Sequence, residues 1–398
     1  MLKNEFKEFE IEFKENEQEI ETFNKWDDLD IDPKILRGIY SYGLEIPSPI
    51  QSKSIISVCK GRDIIAQAQS GTGKTASFTI GSLSHVDVSK KYTQILILAP
   101  TRELAIQISN VVSSIGCMID GLNVKTFIGG STIMNDVNDI RNTQPHIIVG
   151  CPGRVYDLMR RQYIDGNKIK LLVLDEADEI LSSGFMEQIK NIIIKLNRNT
   201  QIALFSATLP SNIREITHKF MNNPLYVTVK AESLTLEGIK QYYIAINSDY
   251  QKYITLKDIY NSISLSQCII YCNSVNRVKH LYNSMIDDNF PVSCIHSDMT
   301  KQERELSFND FKIGTTRVLI SSDITARGID IQQVSVVINF DIPRDVHTYL
   351  HRIGRSGRFG RKGCGINLIT FRDVHKLKEI ENYYATEIKE LPCDFAVI

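Results

Sequence analysis

The sequence has no CxxC pair among its eight cysteines, which stand at 59, 117, 151, 268, 272, 294, 364 and 393. That absence argues against a zinc ribbon or a redox dithiol, and the thiols read as reduced and mostly buried. Long hydrophobic runs are missing too: stretches such as 94–100 and 170–174 fall far short of the ~20 residues of a membrane span. No basic-then-apolar leader opens the chain, so an intracellular protein without a membrane segment is expected. Nor is there an excess of charge of one sign. Lys and Arg number 46 and Asp and Glu 47, a formal net charge of -1, so no long-range positive field gathers nucleic acid and any contact with it must be local.

Residues 1–21 contain neither glycine nor proline and alternate Glu with Phe and Ile, eight Glu against three Lys. They are expected to form a flexible acidic arm. The remainder of the 398 residues exceeds what one common α/β domain needs. From Arg62 onward, short apolar runs alternate with segments of helical period, the pattern of a parallel sheet covered by helices. Strands are expected at 63–68, 95–100, 146–152, 171–176 and 202–208, and, after a polar stretch at 230–238, at 268–273, 292–298, 317–323, 336–341 and 366–370. Two sets of similar size imply two α/β lobes, with ligands at the carboxyl ends of the strands.

AQSGTGKT, residues 68–75, follows an expected strand and precedes an expected helix, the setting a phosphate-binding loop requires. Ser70, Gly71, Thr72 and Gly73 would turn backbone N–H groups toward phosphate oxygens at a helix N-terminus. Lys74 would hold the β and γ phosphates of ATP, and Thr75 a Mg2+ ion. Ala68 stands where the generic signature has glycine. In LLVLDEAD, residues 171–178, a buried strand delivers Asp175 to bind magnesium through water and Glu176 to take a proton from the attacking water. An acidic cluster after a strand can also cap a helix; the companion phosphate loop favours catalysis.

Asp175 to Asp178 spells DEAD, and from about Thr22 onward the chain resembles the DEAD-box helicases, with many motifs in family order. The resemblance implies an α/β fold of two RecA-like domains, each a mostly parallel sheet flanked by helices, at 22–230 and 241–398, joined by a linker at 231–240. It also implies an RNA-stimulated ATPase using ATP and Mg2+. Trp26 and the segment 42–51 resemble the adenine-recognition element, with Gln51 as the reader and Leu44 in place of a stacking phenylalanine. Thr101 and Arg102 of PTRELA, Gly130 after Gly129, and Arg154 of CPGR resemble the RNA-binding motifs of the first domain, with Cys151 replacing a threonine. Ser206 and Thr208 of SAT, with Asp178 and His351, resemble the groups that couple hydrolysis to RNA separation.

In the second half, SDITARGIDI, residues 322–331, implies a backbone contact from Gly328 and a ribose contact from Asp330, with Asp323 and Arg327 bridging motifs. HRIGRSGR, residues 351–358, implies that Arg355 and Arg358 act as arginine fingers. Asn273, Lys301 and Arg304 resemble further RNA contacts, Lys301 replacing a glutamine. The implied partner is single-stranded or short duplex RNA bound without sequence preference, by a monomer whose protein partners set its specificity. Translation initiation in the cytoplasm leads among processes, ahead of splicing and ribosome assembly, with the nucleus as second compartment. Rival readings are an ATP-gated RNA clamp with slow turnover and a DNA translocase.

Overall fold

The computed structural model describes residues 20–68, 72–130, 132–182, 184–209, 219–229, 239–262, 267–323, 334–356, 363–384 and 386–392, leaving aside the side chains of residues 182, 261, 262, 301 and 347. Ser70, Gly71, Gly328, Asp330 and Arg358 lie outside the described residues, as does the acidic arm up to residue 19.

Two seven-stranded sheets form the molecule. The first contains β1 (Ile64–Gln67), β2 (Ile95–Leu98), β3 (Val124–Phe127), β4 (Ile147–Gly150), β5 (Leu171–Asp175), β6 (Gln201–Ser206) and β7 (Leu225–Thr228), in the order β3-β4-β2-β5-β6-β1-β7. The second contains β8 (Ile239–Ala245), β9 (Cys268–Tyr271), β10 (Val292–Ile295), β11 (Val318–Ser321), β12 (Val336–Asn339), β13 (Gly363–Ile369) and β14 (Lys389–Glu390), in the order β10-β11-β9-β12-β13-β8-β14. Every strand pairing among the described residues is parallel.

Central strands such as ILIL, and LLVL before Asp175, are apolar without interruption because helices cover both faces. Side chains alternate between the faces: Ile95 and Ile97 join one core, Leu96 and Leu98 the other. Because β5, β6 and β1 are neighbours, their carboxyl ends bring the phosphate loop, the DEAD segment and Ser206 to one place. No described helix is long and apolar enough to cross a membrane.

Four strands escape sequence reading: β3, β7, β8 and β14. β3, β7 and β14 lie at sheet edges, where one-sided burial leaves no apolar run; β8 beside them mixes Lys240 and Gln241 with three partly buried residues. Ile239 and Lys240, expected in the linker, are the first residues of β8 and pair with Gly363 and Cys364.

The helix Pro33–Ser41 crosses Arg102–Ile115 so closely that a Cβ on Gly38 would sit 1.8 Å from the Ile115 carbonyl oxygen. Gly38→Ala is expected to cost about 2 kcal/mol or more of stability through overpacking, read as a lowered urea midpoint at unchanged slope. An unchanged midpoint would contradict this helix crossing.

Candidate functional site

Gly73 ends the phosphate loop at φ 97°, a left-handed conformation that favours glycine, and a Cβ there would meet the Gln51 amide nitrogen at 2.4 Å. Gln51 is buried at the start of the helix Pro49–Cys59. Its Oε1 accepts from the Ser48 N–H at 2.7 Å and its Nε2 donates to the Gly73 carbonyl at 3.4 Å, while Ser48 Oγ donates to the Thr72 carbonyl at 2.6 Å. Both ends of the expected adenine-reading amide thus bond to protein. Ser48 is a contact that sequence reading missed, although S-x-x-Q before a helix is the signature of a capping box.

Trp26, expected beside the nucleotide, lies in the core of the first lobe. Its side chain is fully buried against Phe23, with ring centres 5.7 Å apart, because the largest apolar ring in the chain gains most inside the core. Leu44 packs against the same core. Lys74, first residue of the helix Lys74–Ser84, is buried and donates to the Ala68 carbonyl at 2.7 Å; Thr75 follows it, half-buried.

At the end of β5, Glu176 adopts φ 48°, a strained conformation for a residue with a side chain. Burial, with Glu176 beside it, pushes the Asp175 carboxyl up to about 7. For Glu176 burial pushes the same way, but Lys74, then His351 and Arg355, outweigh it and hold the carboxyl below its usual range. Two adjacent buried acids are thereby pushed in opposite directions, Asp175 up and Glu176 down. The Glu176 Oε2 has no hydrogen-bond partner among the described residues and lies 3.9 Å from His351 Nδ1.

His351 comes from the other lobe, on the helix Val346–Ile353, and its Nε2 lies 3.4 Å from Asp178 Oδ2. The same Asp178 oxygen accepts from Thr208 Oγ1 at 2.6 Å. Ser206 Oγ donates to the Thr208 carbonyl at 2.6 Å and accepts from the Asp178 N–H at 3.3 Å. One turn beyond His351, the buried Arg355 donates to its carbonyl at 3.3 Å.

A second cleft, of about 600 Å3, is walled by Thr101, Arg102, Gly129, Cys151 and Arg154 from the first lobe and by Ser297 and Arg304 from the second. Thr101 caps the helix Arg102–Ile115 by accepting from the Leu104 N–H at 3.3 Å. Arg102 lies against Gly130, where φ is 102° and a Cβ would stand 2.8 Å from its Nη1. Burial, reinforced by Glu103, pushes the Cys151 thiol up to about 12, so it is neutral.

Three expected RNA contacts are already engaged by protein. Arg154 is paired with Asp136, both nearly buried. Arg304 reaches across the lobes to Glu103 at 3.0 Å and donates to the Ser297 and Met299 carbonyls, each at 3.2 Å. Asn273 is engaged on both ends of its amide: the nitrogen donates to the Ile342 carbonyl at 2.7 Å and the oxygen accepts from Arg352 at 2.7 Å. It belongs to a network in which Arg352 also pairs with Asp323 at 2.6 Å. Lys301 opens the helix Lys301–Lys312.

Residues 48–216 match the DEAD/DEAH box helicase family, and residues 251–360 match the helicase conserved C-terminal domain. The chain belongs to the DEAD/DEAH box helicases. It is 50% identical over 374 residues, 94% of each chain, to the ATP-dependent RNA helicase eIF4A of Scheffersomyces stipitis. It is 49% identical over 377 residues, 94% of this chain and 95% of that one, to the ATP-dependent RNA helicase fal1 of Schizosaccharomyces pombe. Among solved structures, Dbp5 of S. cerevisiae bound to RNA and ADP BeF3 superimposes with a TM-score of 0.86 at 34% identity, covering 93% of this chain and 96% of that one. A DEAD box protein from Methanococcus jannaschii gives 0.55 at 32% identity, covering 93% and 100%. The lobes of this DEAD-box chain are thus arranged as in the RNA-bound Dbp5.

Glu103 and Arg304 should act as a unit in holding the two lobes together. Alanine at either position is expected to raise the RNA concentration for half-maximal ATPase stimulation, with a coupling of about 0.5–3 kcal/mol in a double-mutant cycle; strictly additive effects would exclude the tie. A second expectation follows from Asp175, whose carboxyl in the fold titrates at about 7, above its ordinary 3.8. Its stabilising proton is fully held below the ordinary value and lost as pH rises through the folded one. Relative to Asp175→Asn, wild-type stability should therefore fall across that interval, and parallel urea midpoints for the two proteins would refute the shift.

Proposed function

We propose that this chain is an ATP-dependent RNA helicase acting in cytoplasmic translation initiation, which grips a short single strand between its lobes and separates short duplexes locally. The observation that carries the reading is the meeting of Glu176 and Asp178 from one lobe with His351 and Arg355 from the other. The strong identity to eIF4A over nearly the whole chain supports the process.

In this reading Lys74 leaves the Ala68 carbonyl to hold the β and γ phosphates of ATP, and the loop N–H groups around Gly71 and Gly73 surround the phosphate oxygens. Glu176, kept anionic by Lys74, His351 and Arg355, takes the proton of the water aligned on the γ-phosphate. Arg355 and Arg358 approach that phosphate from the second lobe and stabilise its developing charge. Gln51 serves the adenine edge, and Gly328 and Asp330 the ribose. The buried oxygen donors at this strand end suit a hard divalent cation, and Thr75 and Asp175 would hold magnesium, which offsets phosphate charge when bound.

RNA lies in the cleft of Thr101, Arg102 and Arg154, beside Gly130, held through its phosphates and sugars and without base readout. Asp178, Ser206, Thr208 and His351 link that grip to hydrolysis, because each joins the acidic strand end to another element. Release of phosphate removes the charge that Arg355 and Arg358 meet, so the lobes part and the strand leaves.

Glu176→Gln should leave ATP binding intact while lowering RNA-stimulated phosphate release at least ~100-fold. Near-normal turnover in this variant would remove Glu176 from the role of base. Arg358→Ala should lower turnover ~1,000-fold. Stimulation by single-stranded RNA but not by DNA of equal length is expected; equal stimulation would favour a DNA translocase.

A further inference from the structure

The amino edge of the first sheet carries a cleft of about 320 Å3 that the nucleotide and RNA reading does not use. Its walls come from segments entering β2, β4 and β5, at the edge opposite the loop after β1. Three exposed cations, Lys91, Arg141 and Lys168, ring it against a single carboxylate, Asp165, which lies 3.7 Å from Lys168 Nζ and offsets that one charge, leaving Lys91 and Arg141 in excess. Two of the cations lie over aromatic faces: Arg141 is 5.7 Å from the ring centre of Tyr163, and Lys168 Nζ is 5.1 Å from that of Tyr92. A positive rim over aromatic walls suits an acidic peptide bearing aromatic side chains, since carboxylates pair with the cations and rings pack beside the tyrosines.

The chain itself contains such a peptide. Residues 1–19 carry Glu5, Glu8, Glu10, Glu12, Glu15, Glu17 and Glu19 with Phe6, Phe9 and Phe13, against Lys3, Lys7 and Lys14. They leave the described structure at Ile20, and Glu21 pairs at 2.5 Å with Lys60, the residue between the helix Pro49–Cys59 and the approach to β1. The arm therefore departs from the same amino edge that holds the cleft. From β1 to β5, β2 and β4 is two to four strand spacings, roughly 10–20 Å, whereas a segment of this length can span up to roughly 60 Å. We propose that the cleft of Lys91, Arg141 and Lys168 binds this chain's own acidic N-terminal arm, residues 1–19, through its glutamates and phenylalanines. The proposal replaces the expectation of a free arm and is independent of the helicase reading.

The test uses the full-length chain carrying p-benzoylphenylalanine at position 9, irradiated and mapped by mass spectrometry. Cross-links within the monomer to segments 91–93, 141–145 or 163–168 are expected. Their yield should fall at least about fivefold when salt is raised from about 0.05 to about 0.5 M, and equally in the charge reversal Arg141→Glu with Lys168→Glu. RNA-stimulated ATPase should be unchanged in that variant, which reports an intact fold; Lys91→Glu provides a second reversal. Cross-links that join two copies, cross-links confined to other surfaces, or a yield indifferent to the charge reversals each overturn the proposal.

Discussion

A buried histidine of one lobe set against two carboxylates of the other is the contact on which the rest depends. His351 stands 3.9 Å from Glu176 and 3.4 Å from Asp178, with almost no exposure on either side. In so dry a place an isolated pair of acids would take up protons. Lys74 from below and His351 and Arg355 from above lower the Glu176 carboxyl against the pull of burial. The protonation state of the proposed base is thus a property of the closed pair of lobes and not of the first lobe alone. Separating the lobes withdraws two of the three stabilising charges, which makes chemistry conditional on closure.

Around this contact the chain uses short polar links to transmit position. Asp178 is held by Thr208 and by the Ser206 hydroxyl, and Ser206 ends the strand beside β1, which feeds the phosphate loop. On the other bank, Arg352 ties Asn273, Asn339, the Asp341 carbonyl and Asp323 into one network directly behind His351. Beside the His351 contact, the Glu103–Arg304 pair adds a second crossing point, at the RNA cleft. Two separate bridges between the lobes, each built from groups that prefer water unless paired, make the closed form specific in its geometry.

Much of this was legible in the sequence, and the parts that were not share a cause. Strands buried on both faces announce themselves, the edge strand β10 included; β3, β7 and β14 at the edges and β8 beside one of them are at most partly buried and carry no such run. The phosphate loop and the DEAD segment are continuous stretches of chain, so their chemistry can be read from adjacent letters. What a basic side chain faces cannot. Arg154 meets Asp136, Arg304 meets Glu103 from the other lobe, and Asn273 meets Ile342 and Arg352, partners far off along the chain. Nor do adjacent letters show that the Trp26 indole lies within the core.

The placement of β1 also bears on how the protein is made. This strand, which carries the phosphate loop, pairs on one side with β6 and on the other with β7. Both partners are synthesised more than a hundred residues after it, so on the ribosome β1 waits with open edges until Thr228 has been added. The nucleotide site is therefore among the earliest segments translated and among the last to be completed. During that interval the nascent first lobe offers two unpaired strand edges to any chaperone, or to any aggregate, that arrives first.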